Sequence, residues 1–338
     1  YSRRYRNVDA ESHGIHSSAK RYERGDLMPA FCTHYLFLKE TQDIVKKHGD
    51  FEFNFDAAAI GTQGADIFFF HRVLPISMFG VPKNKIGSLL HRAKPEKIFD
   101  AFCEYIPLSL NPDIAKSYIA GFIMHYALDR NCHPYVYYLQ DKICQSKKAI
   151  HKSSVHNQIE TAADTYLLTE HGGVFDVSQF NSADTITNKI EVIDEISHLL
   201  AFVVPKVTGK FIDEKDVATA IADTRRMQKI LQDKRGALRP VCVAIETIFA
   251  PIIKFFKFSS MIKPRDLEKA KKYVNINRLK WKSPFDSKIR SESFEDLFEF
   301  SKFDFDVLYR GFIQMTQGKL TAYTVTHNIS FLTGTEVE

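Results

Sequence analysis

Five residues on two short segments stand at spacings that suit metal chemistry. In the segment Tyr118 to His133, His125, Asp129 and His133 follow one another at intervals of four. Residues four apart on a helix share a face, with Cβ atoms roughly 5–6 Å apart. The intervening residues are largely apolar, so this face is expected to be buried. A buried carboxylate among imidazoles requires a cation or a protonated partner. His156 and Glu160 repeat the same interval in a second segment. Zinc accepts nitrogen and oxygen ligands of these types. Two helices each presenting a His/carboxylate pair are predicted to enclose more than one divalent ion.

Other metal and nucleotide motifs are missing. The chain has no HExxH and no adjacent His-Asp pair. One ExxH occurs, Glu195 to His198, where a di-iron bundle uses two. Neither GxxxxGK[ST] nor GxGxxG is present. His48, His151, His171, His198 and His327 have no carboxylate at a matched spacing and are expected to be surface or core residues. Phe68, Phe69 and Phe70 are expected to pack in the core in preference to lining a lipid pocket.

These segments need elements to carry them, and the pattern along the chain is helical. Apolar spacing predicts helices over 33–47, 112–133, 153–170, 188–206, 214–235, 240–258, 265–275 and 293–317. Pro112 followed by Asp113 is a helix start, and Pro134 is expected to end that helix. Gly61 and Gly64 mark a bend, and Pro75, Gly80 and Pro82 a loop. Convincing strands are few. The reading is an all-α, single-domain fold over 28–338, its metal site within 28–170 and a helical C-terminal part over 171–338. Residues 1–27 are polar and basic and are expected to form a disordered leader or upstream extension.

The 338 residues carry a formal net charge of +5, too small to imply nucleic acid. Residues 225–282 contain 16 Lys and Arg against 4 Asp and Glu. Such a stretch is either a solvated helical face or a surface for an anionic membrane or phosphorylated partner. Five cysteines without a CxxC argue for a reducing compartment. No apolar run is long enough to span a bilayer, and no secretory leader is seen, so a cytoplasmic location is expected. Val241 to Phe258 reads as an amphipathic helix.

Taken together, four stretches resemble the bacterial zinc-dependent phospholipase C family, in its longer, unexported form. They are Thr33-His34-Tyr35-Leu36-Phe37, Gly61-Thr-Gln-Gly-Ala-Asp66-Ile-Phe-Phe, His125-x3-Asp129-x3-His133 and His156-x3-Glu160. The likeness covers roughly residues 28–170. The interval from Asp129 to His133 is shorter than in the secreted members, and Met28 stands near the place of their processed N-terminus.

The resemblance implies a helical fold holding two or three Zn²⁺ ions. His125 and Asp129 would bind one zinc with a further histidine, which is His91 or, as the fallback, His71. Asp129 would bridge to a zinc also bound by His34. His133, His156 and Glu160 would hold the remaining ion. Asp66 would be the general base or an extra ligand. The implied activity is a phosphodiesterase that hydrolyses a phosphate ester or phospholipid by metal-activated water, with peripheral contact to an anionic membrane. The alternative is a non-catalytic, zinc-stabilised binding protein using the basic surface of 225–282.

Overall fold

Amphipathic periodicity and well-formed caps make this chain a stack of helices around one long buried rod. The computed structural model describes residues 31–76, 79–146, 151–249 and 257–337. Within them the α-helices, in chain order, are α1 (Phe31–His48), α2 (Phe55–Gly61), α3 (Lys85–Arg92), α4 (Pro95–Tyr105) and α5 (Pro112–Ser146). They continue with α6 (Lys152–Glu170), α7 (Ile190–Thr208), α8 (Glu214–Leu231) and α9 (Leu238–Phe249), then α10 (Leu267–Lys271), α11 (Phe294–Thr316) and α12 (Ala322–Thr326). A 3₁₀ turn covers Gly64–Phe68. The only sheet among the described residues is an antiparallel pair, β1 (Trp281–Lys282) and β2 (Ile289–Arg290). The fold is all-α, as expected.

The rod is α5. It buries Ile114, Tyr118, Phe122 and Tyr126 together with His125, Asp129 and His133, so apolar and chemical residues share one covered helix. Contrary to expectation, α5 does not end at His133 but runs through Pro134 to Ser146. Proline in a helix interior removes a hydrogen bond and crowds the carbonyl four residues back. Here Cys132, Tyr135, Val136 and Tyr137 are buried around it, and that tertiary packing outweighs the local penalty. The C-terminal tail also sits against this spot: a Cβ on Gly334 would lie 2.6 Å from the Arg130 carbonyl oxygen and 2.9 Å from the Pro134 ring.

α2 crosses α5 unusually closely. A Cβ on Gly61 would come 2.2 Å from the Tyr118 carbonyl oxygen, and one on Gly121 2.2 Å from that of Ala58. No real side chain tolerates such contact, so glycine is required at both places. This approach sets the 3₁₀ turn carrying Asp66 directly over His125. α11 packs along the opposite side of α5, tied by the Arg130–Asp304 ion pair, and its start is closed by a capping box between Ser293 and Asp296.

One apolar cluster runs from Phe31 to Phe331 and includes residues of α1, α5, α7 and α11. Phe68, Phe69 and Phe70 are buried and serve packing, Phe69 stacking on the His91 ring. The predicted helix over 240–258 is observed as Leu238–Phe249, and residues 250–256 lie outside the described residues. The predicted leader over 1–27 also lies outside them. No described helix is long and apolar enough to cross a membrane.

Candidate metal centre

Three buried groups of ligand-type side chains adjoin one another beneath the α2–α5 crossing. They are His34, His125 and Asp129; Asp66, His91 and His125; and His133, His156 and Glu160. Within each group the candidate ligand atoms all lie within 4.8 Å of one another. Five elements supply them: α1 (His34), the 3₁₀ turn (Asp66), α3 (His91), α5 (His125, Asp129, His133) and α6 (His156, Glu160).

Asp129 is the hub. Its Oδ1 lies 3.4 Å from His34 Nε2. Its Oδ2 lies 3.3 Å from Nε2 of both His91 and His125, and 3.7 Å from His133 Nδ1. His91 and His125 face each other, Nε2 to Nε2, at 3.3 Å. Asp66 Oδ1 is 3.3 Å from His91 Nε2. Glu160 Oε1 is 3.2 Å from His156 Nε2 and 3.6 Å from His133 Nε2.

These separations are informative because they are too long for strong charge-assisted hydrogen bonds, which fall at about 2.7–2.9 Å. Two ligands each about 2.0–2.1 Å from one tetrahedral zinc stand about 3.3–3.4 Å apart. The observed spacings therefore match neighbouring ligands of a shared ion better than direct partners.

The outer ring nitrogens agree. His91 Nδ1 is 2.9 Å from the Gly87 carbonyl, His133 Nδ1 is 2.8 Å from the Phe331 carbonyl, and His156 Nδ1 is 3.0 Å from Gln140 Oε1. Each can donate its Nδ1–H outward, which leaves the Nε2 lone pair facing the cluster. Metal-binding histidines are commonly oriented by such a partner. Meanwhile Asp66 Oδ1, Asp129 Oδ2 and Glu160 Oε2 are buried without a hydrogen-bond donor. Buried anionic oxygens of this kind are costly unless a cation satisfies them. On all three counts the residues fit divalent metal.

The titration behaviour of the metal-free cluster shows how the protein copes with these charges. Burial disfavours ionised Asp129, yet His125, His133 and their neighbours hold its carboxyl well below the ordinary range. Burial also works against Glu160, but His156 and His133 bring it down to about 2. Burial opposes charge on His133, while Asp129 and Glu160 push it up to about 10. Imidazolium thus takes the place of a metal cation there. His125 is driven the other way by burial, to well below its ordinary value. Burial lifts Asp66 to about 7, against the pull of His91.

Eight of the nine residues singled out from sequence enter the three groups. His71 does not: its Nδ1 accepts the Lys83 backbone N–H at 2.9 Å, and its Nε2 lies 3.6 Å from Asp216. His91 holds the place beside His125. The structure adds residues that the reading did not include. Gln140 is seven residues after His133 on the same helix, so spacing could have suggested it. The Phe331 carbonyl gives no such signal, because backbone oxygens carry no residue type and this one lies 198 positions away.

Two other places carry ion pairs that sequence spacing did not give. His171, with no carboxylate at a matched spacing, sits 3.2 Å from Glu40 and 3.1 Å from Glu295, which arrive from other helices. Lys302 pairs with Glu40 and Glu299 there, so two of the three carboxylates of this surface knot already share a cation. In the basic stretch 225–282, three arginines reach acids that lie outside it: Arg226 pairs with Asp223, Arg265 with Asp176 and Arg278 with Asp296.

Comparison of the chain with protein-family models, with curated proteins and with solved structures returned no match.

Proposed function

We propose that this protein is a zinc-dependent phosphodiesterase of the phospholipase C type. The observation that carries the reading is the placement of Asp129, whose two oxygens reach out to four imidazoles while Asp66 and Glu160 flank them. His91, His125 and Asp129 would hold one ion with Asp66 beside it, His34 and the other oxygen of Asp129 would border a second, and His133, His156 and Glu160 would hold another. When bound, zinc supplies a water that ionises near neutral pH and positive charge to offset the phosphate anion.

The chain's own groups do the rest. Asp66 Oδ1, buried without a hydrogen-bond donor, would accept a proton from the attacking water. The new P–O bond would form as the ester P–O bond breaks, and the leaving oxygen would take a proton from bulk water and depart as an alcohol, while Asp66 returns its proton to solvent. His91, anchored through its Nδ1 to Gly87, keeps Asp66 in place.

The test is metal analysis of the purified chain together with turnover of a panel of phosphodiesters and phosphomonoesters, before and after chelation. Zinc in more than one equivalent and chelator-sensitive hydrolysis of a phosphodiester support the reading. Full zinc with no turnover on any ester would instead support a zinc-stabilised binding protein.

A further inference from the structure

We infer that the outer face of α3 carries a binding site for an amphipathic anion, a single hydrocarbon chain ending in a carboxylate or phosphate. A cavity of about 640 Å³ opens between α3 and the Lys210–Phe211 turn that joins α7 to α8. This lies within the roughly 300–1,000 Å³ typical of ligand pockets. It is distinct from the metal cluster: His91 and Gly87 point inward from α3 and are buried, whereas Ser88, Leu89 and Arg92 line the cavity on the other side.

The wall has a definite chemistry. Lys83, Lys85, Arg92 and Lys210 contribute four cationic side chains, and no carboxylate lines the cavity. Of the four cations Asp216 pairs with Lys83 alone, at 3.6 Å. Among the described residues no carboxylate pairs with Lys85 or Lys210, so an arriving anion meets uncompensated charge. Between the cations lie apolar surfaces from Ile86, Leu89 and Phe211, and the Phe211 ring is 75% exposed at the rim. Covering that ring is favourable for any apolar ligand.

The cavity is also pre-shaped. Lys83 Nζ donates to the Phe211 carbonyl at 3.0 Å, and the Lys83 backbone N–H donates to His71 Nδ1 at 2.9 Å. This staples the Lys210–Phe211 turn to the start of α3. Ser88 is the single uncharged polar side chain on the wall. One hydroxyl cannot read a nucleobase and a sugar, which display several donors and acceptors. A hydrocarbon chain needs no such partners, and a terminal anion satisfies the lysines.

The zinc-loaded full-length chain is titrated calorimetrically with dodecanoate below its micellar concentration, with dodecanol and with inorganic phosphate. Dodecanoate is expected to bind saturably at one equivalent, dodecanol at least about tenfold more weakly, and phosphate not measurably, because both head and chain contribute. A Lys85→Glu/Lys210→Glu double variant, shown by circular dichroism to fold and melt as wild type, should weaken dodecanoate at least about tenfold. Phe211→Ser should weaken dodecanoate and dodecanol alike. Equal affinity for dodecanoate and dodecanol, tight binding of phosphate alone, or wild-type affinity in the double variant would overturn the site. So would dodecanoate binding that vanishes on zinc removal yet ignores the lysines, or adsorption to phosphatidylglycerol vesicles without saturable uptake of monomer. The site and the proposed phosphodiesterase can fail separately, since the lysine variants touch no candidate metal ligand.

Discussion

Asp129→Asn is the most direct perturbation of the metal centre. The substitution keeps the side chain's shape and removes its charge. It also turns one atom facing the imidazole nitrogens at 3.3–3.7 Å into an N–H donor, which cannot bind a cation. The metal-free variant changes stability for its own reasons, because four imidazoles lose a carboxylate. The readout is therefore the shift in melting temperature that zinc produces, not the melting temperature itself. At free zinc about 100 times its Kd, binding stabilises a folded chain by about 2.7 kcal/mol. Even outer partners of metal ligands change affinity by about 10–100-fold, so loss of the hub charge is taken as at least about 100-fold. The same zinc concentration then contributes only about 0.4 kcal/mol. At about 2.1 cal/mol/K per residue, a chain of this length unfolds with an entropy of about 0.7 kcal/mol/K. Zinc should raise the melting temperature by about 4 °C in the wild type and by less than about 1 °C in the variant. Calorimetric scans of chelated and zinc-supplemented protein measure this, with His48→Ala as a surface control that keeps the full shift. An equal zinc-induced shift in Asp129→Asn and wild type would refute the assignment of Asp129 as a shared ligand.

Other outcomes follow from the same geometry. His91→Ala should lower zinc content by elemental analysis while His71→Ala leaves it unchanged; the reverse result would exchange their roles. Gln140→Leu should weaken zinc binding by about 10–100-fold through loss of the His156 Nδ1 partner, without a change in the circular dichroism spectrum. Asp66→Asn should retain zinc and lower phosphodiester turnover by about 10²–10⁴; wild-type turnover at full zinc content rules out the base role. In chelated protein, Glu160 is depressed from 4.5 to about 2, so its stabilisation is complete above pH 4.5 and fades as pH falls toward 2. His133 is raised from 6.5 to about 10, so its stabilisation is complete below pH 6.5 and fades as pH rises toward 10. Together they place the pair's largest contribution between pH 4.5 and 6.5, and zinc, which needs neutral imidazole, should restore stability increasingly above that window. A chelated protein that melts at the same temperature from pH 6 to 9 would contradict this.

The helical class and the core of the candidate metal centre were legible in the sequence because both are local. His125, Asp129 and His133 recur at the helical interval, so any helix there lines them up, and the same holds for His156 and Glu160. The periodic segments became α1, α6, α7, α8 and α11 with ends displaced by a few residues, since caps and tertiary contacts set the last turn, while α5 runs on well past its expected end. His34, Asp66 and His91 were identified through the resemblance alone, for no spacing rule links α1, a 3₁₀ turn and α3 to α5. Only the tertiary structure places His91, and not His71, beside His125 and Asp129. That placement depends on the glycine-to-glycine crossing of Gly61 and Gly121, which sets the Asp66 turn against His125 and leaves His71 facing Lys83 and Asp216. The fate of Pro134 was likewise tertiary: its local cost is real, but packing on both sides of the ring carries the helix through. The Phe331 carbonyl on His133 and the carboxylates around His171 come from distant segments. Side-chain type and sequence spacing hold no record of such contacts, because they exist only once the chain has folded back upon itself.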